Sequence, residues 1–195
     1  MSDLNIMIVG VGGQGTLLAS RLLGNVAMKQ GYDVKVSEVH GMSQRGGSVV
    51  TYVKMGEKVY SPIIEKGEAD YLLAFENLEA LRWIDYLKKD GTLVLNDQQI
   101  DPMPVIIGKA KYPEGIIERL REGGVRMNSI DALQIAKECG NIKAVNIVLI
   151  GLLARTSNIA RDVWLEAMKE VIPQKLLDVN LKAFNAGFDA AIDAI

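Results

Sequence analysis

A run of glycines directly after a short apolar segment constrains this chain more than any other feature. Residues Asn5–Val9 are rich in strand-forming side chains, and they lead into Gly10-Val11-Gly12-Gly13-Gln14-Gly15. From Thr16 to Lys29 the apolar residues recur at helical spacing. Glycines permit a tight turn and a close approach of helix to strand. The pattern therefore predicts a β–turn–α–β unit of Rossmann-like design, with Asp33–Val39 as its second, parallel strand.

The rest of the chain alternates strand-like and helical segments. This order predicts one three-layer α/β/α domain over residues 1–195, with a mainly parallel sheet, one hairpin and a helical C-terminal end. We expect the hairpin turn at Gly56-Glu57, between Val49–Met55 and Lys58–Tyr60. The other predicted segments are strands at Tyr71–Phe75, Thr92–Leu95 and Val125–Met127, a turn at Asp90-Gly91, an extended piece leading into Val105–Ile107, and helices at Glu76–Leu87, Glu114–Glu122, Ala132–Glu138, Asn146–Arg155, Val163–Val171 and Lys175–Ile195.

Buried positions follow from the same periodicity. Met7, Met28 and Met55 are predicted to fill the core, and Cys139 is predicted to lie buried at a helix end. We expect the apolar stripe of the last helix to pack on the sheet, and docking of a partner subunit is the alternative for part of it. The stripe consists of Leu177, Leu181, Phe184, Phe188, Ala191 and Ile195.

Composition excludes several classes of function. The 22 basic and 24 acidic residues are scattered along the chain, which argues against nucleic-acid binding. The longest apolar stretch, Ala144–Ala154, is interrupted by Asn146 and is shorter than the roughly 20 residues that span a bilayer. The first residues lack the basic region of a signal peptide, so we expect a cytoplasmic protein that does not enter the membrane.

A single cysteine, Cys139, and a single histidine, His40, limit the chemistry further. One cysteine cannot form a disulfide framework or hold an iron–sulfur cluster. One histidine argues against a His-rich metal site, and no base at a readable spacing accompanies the serines. We therefore predict no catalytic residue and no metal ligand in this chain, and catalytic groups would have to come from a partner.

The glycine turn supports more than one interpretation. A helix that begins there would offer free backbone N–H groups and a positive dipole end to a phosphate. Alternatively, the glycines serve packing alone. A third interpretation is a dinucleotide site, for which Glu38 stands roughly where an acidic residue would hold the ribose.

A second polar, glycine-rich stretch follows the second predicted strand. It reads Glu38-Val39-His40-Gly41-Met42-Ser43-Gln44-Arg45-Gly46-Gly47 and brings a carboxylate, an imidazole, a hydroxyl, an amide and a guanidinium together. Because the carboxyl ends of strands form the ligand crevice of an open parallel sheet, we expect both glycine-rich loops to meet there. As structural alternatives, His40 is a surface residue and Arg45 pairs with Glu38 or Glu65.

Together, Gly10–Gly15 and Glu38–Gly47 resemble the gamma-type subunit or domain of 2-oxoacid:ferredoxin oxidoreductases, also described as the pyruvate/ketoisovalerate oxidoreductase gamma domain. Within that family the chain is most similar to the beta subunits of indolepyruvate:ferredoxin oxidoreductases. Length and element order agree as well, so the resemblance covers the whole chain.

The resemblance implies a reaction and a division of labour. These complexes oxidatively decarboxylate a 2-oxoacid to an acyl-CoA and CO2, and they pass electrons to ferredoxin. Thiamine diphosphate and the [4Fe–4S] clusters are expected on a large alpha subunit, with no cofactor bound tightly by this chain and coenzyme A as co-substrate of the complex. The chain would then be an enzyme subunit that is inactive alone, part of a hetero-oligomer, with a homodimer as the alternative state of the isolated chain.

Both motifs supply the residues that the resemblance places in or near the coenzyme A cleft. They would act as electrostatic or backbone contacts and not as acid–base catalysts. The candidates are Gly10, Gly12, Gly13, Gln14, Gly15, Glu38, His40, Gly41, Met42, Ser43, Gln44, Arg45, Gly46 and Gly47.

Two other functions remain open at this stage. One is a stand-alone NAD- or nucleotide-binding protein, and the other is a scaffold that holds a partner without touching the substrate. The choice of indolepyruvate or another arylpyruvate over other 2-oxoacids rests on the subfamily resemblance alone.

Overall fold

A six-stranded sheet forms the centre of the protein, with strand order β2-β3-β1-β4-β5-β6. The computed structural model describes residues 3–38 and 47–190. The strands are β1 Leu4–Val11, β2 Asp33–Glu38, β3 Ser48–Gly56, β4 Ala69–Ala74, β5 Leu87–Asn96 and β6 Met127–Ile130. Strands β1, β4, β5 and β6 pair in parallel, whereas β3 is antiparallel to both β1 and β2. The prediction of a mainly parallel α/β sheet is confirmed.

The hairpin lies elsewhere than predicted. Strand β3 pairs with β2, in a register that places Asp33 opposite Gly56 and Glu38 opposite Thr51. Residues Lys58–Tyr60 form no strand. The Val59 amide donates a 3.0 Å hydrogen bond to the Asp33 carboxylate, which draws the chain away from the sheet after Gly56. The β2–β3 connection is therefore the second glycine-rich stretch, and β2 runs parallel to β1 but is separated from it by β3.

Helices cover both faces of the sheet. They are α1 Thr16–Lys29, α2 Asn77–Trp83, α3 Met103–Ile106, α4 Ile116–Glu122, α5 Ala132–Glu138, α6 Val145–Thr156, α7 Arg161–Val171 and α8 Gln174–Phe188. One apolar cluster joins the sheet to α1 and α6. The second joins the opposite face to α2 and α4. These clusters confirm the three-layer arrangement, and α7 and α8 add an outer layer over α1 and α6.

The C-terminal helix packs on α6, and the prediction that its apolar stripe lies on the sheet is wrong. Helix α6 is apolar on all sides and almost wholly buried, because the sheet covers one side and α8 the other. Gly151 and Gly187 allow this close packing. A Cβ atom on Gly187 would overlap the Val148 carbonyl, and one on Gly151 would overlap the Phe184 carbonyl. Ala191 and Ile195 of the predicted stripe lie outside the described residues.

Several local predictions also need correction. Asp90-Gly91 is not a turn but part of a bulge in β5, where Leu87 faces Ala69 and Thr92 faces Tyr71. The extended piece predicted to lead into Val105–Ile107 overlaps α3, because Pro104 fits the first turn of a helix.

Other element boundaries also differ from the predicted ones. The helix predicted to reach Leu87 ends at Trp83, followed by a 3-10 turn, and the last strand begins at Met127 instead of Val125. Met28 is 60 % exposed, so only Met7 and Met55 of the three methionines lie in the core.

Within the described residues, no helix combines the length and the apolar character that crossing a membrane requires.

Candidate functional site

The glycine turn lies at the carboxyl end of β1 and leads directly into α1. Gly13 and Gly15 have φ angles of 100° and 84°, a left-handed backbone that side chains disfavour. Between them, Gln14 folds back onto the sheet. Its Oε1 accepts a 2.6 Å hydrogen bond from the Val11 amide, and its Nε2 donates a 3.0 Å bond to the Phe75 carbonyl. The turn is thereby fixed to the ends of both β1 and β4.

Two glycines make room for this arrangement. A Cβ atom on Gly10 would lie 2.7 Å from the Gln14 amide oxygen and 3.0 Å from the Phe75 Cβ. A Cβ atom on Gly15 would lie 2.7 Å from Nδ2 of Asn146, which donates a 3.2 Å hydrogen bond to the Gly15 carbonyl. Sequence reasoning missed this role of Asn146, although a lone amide in an apolar helical stretch was the available signal.

The two glycine-rich motifs meet at one described contact. The Gly12 amide donates a 3.0 Å hydrogen bond to the Gly47 carbonyl. Next to Gly47, the Ser48 hydroxyl bonds to the buried carboxylate of Glu79, which also accepts a 2.6 Å bond from Arg82. The candidates His40, Gly41, Met42, Ser43, Gln44, Arg45 and Gly46 lie outside the described residues.

Glu38 lies apart from the glycine turn. It ends the edge strand β2, and because β3 lies between β2 and β1, it is two strand spacings, about 9–10 Å, from β1. Its carboxylate accepts a hydrogen bond from the Ser20 hydroxyl of α1. This arrangement differs from a dinucleotide fold, in which the acidic residue follows the strand next to β1.

An open cleft of about 580 Å³ lies beside the glycine turn. The Lys143 side chain brings positive charge, and the glycine turn on the cleft wall leads into the N-terminus of α1, which is the positive end of that helix. Such a combination suits a phosphate or another anion. Sequence reasoning missed Gln98 and Lys143, since they are brought there only by the order of the strands. The lining residues are Gly13, Gln14, Gly15, Gln98, Ile100, Leu133, Ile142, Lys143 and Val145.

A second cleft of about 800 Å³ lies between α2, α4 and the segment after β5, with Asp97 and Glu114 on its rim. Buried Glu76 organises its inner wall and accepts hydrogen bonds from the Glu79 amide, the Ile100 amide and the Tyr112 hydroxyl. Burial, together with that hydrogen bond to Glu76, raises the pKa of Tyr112. Tyr112 therefore stays protonated and has a structural role.

Among the described residues, no group of histidine, cysteine, aspartate and glutamate side chains is arranged to hold a metal ion. Cys139 is buried at the end of α5, as predicted.

Comparison with known proteins gives a consistent result. The family model described as pyruvate ferredoxin/flavodoxin oxidoreductase matches residues 5–190. The chain is 45% identical to the indolepyruvate oxidoreductase subunit IorB of Thermococcus kodakarensis, over 98% of this chain and 97% of that protein. These similarities favour the oxidoreductase subunit over a stand-alone nucleotide-binding protein.

Two solved structures share the fold. The gamma subunit of a keto/oxoacid ferredoxin oxidoreductase from Geobacter sulfurreducens has a TM-score of 0.71 at 23% identity, and the match covers 95% of this chain and 96% of that one. The 2-oxoglutarate:ferredoxin oxidoreductase of Magnetococcus marinus, solved with 2-oxoglutarate, coenzyme A and succinyl-CoA, has a TM-score of 0.73 at 23% identity. That match covers 96% of this chain but 31% of the other, so there the fold is part of a longer chain.

Proposed function

This chain belongs to the pyruvate ferredoxin/flavodoxin oxidoreductase family, and on that premise we propose that it is the non-redox subunit of an arylpyruvate:ferredoxin oxidoreductase. The complex would convert a 2-oxoacid and coenzyme A into an acyl-CoA and CO2, with two electrons passed to ferredoxin. Indolepyruvate is the proposed substrate because the 45% identity to the Thermococcus kodakarensis subunit extends over nearly the whole of both chains.

The proposed role of this subunit is to receive coenzyme A. The observation that carries it is the cleft beside the glycine turn, where Lys143 supplies positive charge close to the N-terminal end of α1. Coenzyme A presents phosphates joined to a less polar arm. The apolar side chains of Ile100, Leu133 and Ile142 along the same cleft suit that arm.

Redox chemistry is assigned to a partner. A [4Fe–4S] cluster needs four thiolates, and the chain has one cysteine, which is buried at a helix end. Thiamine diphosphate and the clusters would therefore reside on the large alpha subunit. The residues of this chain bind and orient coenzyme A, so that its thiol can reach the acyl group that the partner generates.

The partner would contact the side of the molecule where this cleft opens, because the thiol must cross between the subunits. A segment beside the cleft has the character of such an interface. It begins at Ile100, which lines the cleft, and it includes α3. The exposed fractions of Met103, Ile106 and Ile107 in this segment are 64 %, 65 % and 54 %. Clustered exposed apolar side chains mark protein–protein contacts. We propose that this segment, residues 100–107, docks the large subunit.

Substitution of the cleft cation tests the proposed role. In the assembled complex, Lys143→Gln should raise the apparent KM for coenzyme A and leave the KM for the 2-oxoacid unchanged, because only the phosphate contact is lost. Arg45→Ala, in the second motif, is expected to act in the same direction. Lys35→Gln is a matched control, since Lys35 is an exposed lysine on the edge strand β2, paired with Asp33. An unchanged KM for coenzyme A in both Lys143→Gln and Arg45→Ala would refute the role.

A further inference from the structure

The side chain of Asn96, at the end of β5, is fully buried and uses both ends of its amide. Its Nδ2 donates hydrogen bonds of 3.1 Å to the Phe75 carbonyl and 2.9 Å to Oε1 of Gln98. Its Oδ1 accepts a 3.0 Å bond from the Ala132 amide at the start of α5. Among side chains of this size, only a neutral amide supplies two donors and an acceptor together.

The Phe75 carbonyl, just after β4, links Asn96 to the glycine turn. It accepts the 3.0 Å bond from Nε2 of Gln14 as well as the bond from Asn96. A carbonyl oxygen has two lone pairs, so both bonds form together. Gln14 and Asn96 thus form a continuous polar network across the carboxyl ends of β1, β4 and β5.

The ends of this network are parts of the cleft wall. Gln14 belongs to the glycine turn, Gln98 belongs to the segment after β5, and both line the cleft of about 580 Å³. We propose that Asn96 is a positioning residue, which holds the glycine turn and Gln98 in the relative placement that coenzyme A requires. This proposal rests on the proposed function. Asn96 does not itself contact the ligand, since its side chain lies beneath the cleft wall.

Replacement of Asn96 by aspartate isolates this role. In Asn96→Asp the new carboxylate would retain the shape of the amide and still accept from the Ala132 amide. However, an acceptor oxygen would then face the Phe75 backbone carbonyl, so that contact becomes repulsive, and Gln98 would have to turn its amide to present Nε2 as a donor. The glycine turn and Gln98 should therefore shift relative to each other. Binding sites tolerate displacements of only about 0.5 Å in the residues that hold a ligand.

The experiment uses the assembled complex and follows 2-oxoacid-dependent viologen reduction as the coenzyme A concentration varies. Asn96→Asp should raise the apparent KM for coenzyme A about tenfold, with kcat changed less than about threefold and the KM for the 2-oxoacid unchanged. Gln98→Met removes one acceptor at a half-buried position and should raise the same KM by a smaller factor. Asn180→Asp is the matched control, because Asn180 is a buried, hydrogen-bonded asparagine in α8 that does not line the cleft.

Each outcome separates this role from the proposed function. If Lys143→Gln raises the KM for coenzyme A and Asn96→Asp does not, the positioning role is refuted and the proposed function stands. If none of Lys143→Gln, Arg45→Ala and Asn96→Asp changes that KM, the proposed function of the cleft is refuted as well. If Asn96→Asp prevents assembly, Gln98→Met decides, since a raised KM supports the positioning role and an unchanged KM refutes it.

Discussion

The Gly12 amide donates a 3.0 Å hydrogen bond to the Gly47 carbonyl, and this contact joins the two glycine-rich motifs of the chain. It forms because β3 is inserted between β1 and β2, so that the residue preceding β3 reaches the turn that follows β1. The second motif therefore begins two strands away from the turn, at Glu38, and ends against it, at Gly47.

Substitution of Gly15 should destabilise the turn. Alanine there would have to adopt a φ of 84°, and its Cβ would lie 2.7 Å from Nδ2 of Asn146. We expect Gly15→Ala to lower the free energy of unfolding by about 1–3 kcal/mol. Gly24→Ala is the control inside α1, where nothing lies within 4 Å of the added Cβ. There alanine should raise stability by about 0.5–1 kcal/mol. Chemical denaturation of both variants measures the difference, and equal stabilities would contradict the account of the turn.

The contact between α6 and α8 makes a second prediction. Gly187→Ala places a methyl group against the Val148 carbonyl, which belongs to the backbone and cannot rotate away. The helices must separate, and we expect a loss of about 1–3 kcal/mol, the usual cost of overpacking. Thermal unfolding of the isolated chain tests this. A midpoint equal to that of the unsubstituted protein would show that the helices are not held this closely.

The sequence correctly predicted those elements whose formation depends on residues close together along the chain. The β1–turn–α1 unit and helix α5 follow from local glycine chemistry and apolar spacing, and α5 lies at the predicted residues. The pairing of β2 with β3 was missed because strand pairing depends on contacts that no local pattern encodes. The same holds for the residues of the candidate site. The glycine turn could be predicted from its local sequence, whereas Asn96 and Lys143 lie near it only because of the order of the strands in the sheet.

Acid should weaken one contact between α1 and α7. Hydrogen bonds from Lys29 and from Asn25 lower the pKa of Glu170 below its usual 4.5. Because the folded state holds this proton less tightly, the Glu170 carboxylate stabilises the fold above pH 4.5 and loses that effect as the pH falls through the folded-state pKa. Glu170→Gln should thus be less stable than the unsubstituted protein at pH 7, and the difference should vanish at low pH.

Unfolding curves at several pH values test this dependence. Glu166→Gln is the matched control, because its carboxylate lies 3.9 Å from the same Lys29 ammonium that Glu170 contacts at 2.5 Å. A stability difference for Glu170→Gln that does not change with pH would contradict the assignment.

Substitutions in the exposed segment of residues 100–107 test how the complex assembles. Replacement of Met103, Ile106 and Ile107 by glutamine should reduce co-purification of the large subunit, because the apolar contacts would be lost. The isolated chain should keep its thermal stability, since all three side chains are more than half exposed. Glutamine at Leu17, Met28 and Val36, exposed apolar residues along the groove between α1 and β2, is the control and should leave assembly intact. The reverse pattern would place the interface on that groove.

The central claim is tested most directly by isolating this chain, tagged and under anaerobic conditions, from its own host and assaying what co-purifies. We expect a brown complex with a large partner that reduces viologen with arylpyruvates, and only when coenzyme A is present. A colourless, solitary protein that binds NAD or a flavin and shows no 2-oxoacid-dependent reduction would contradict it.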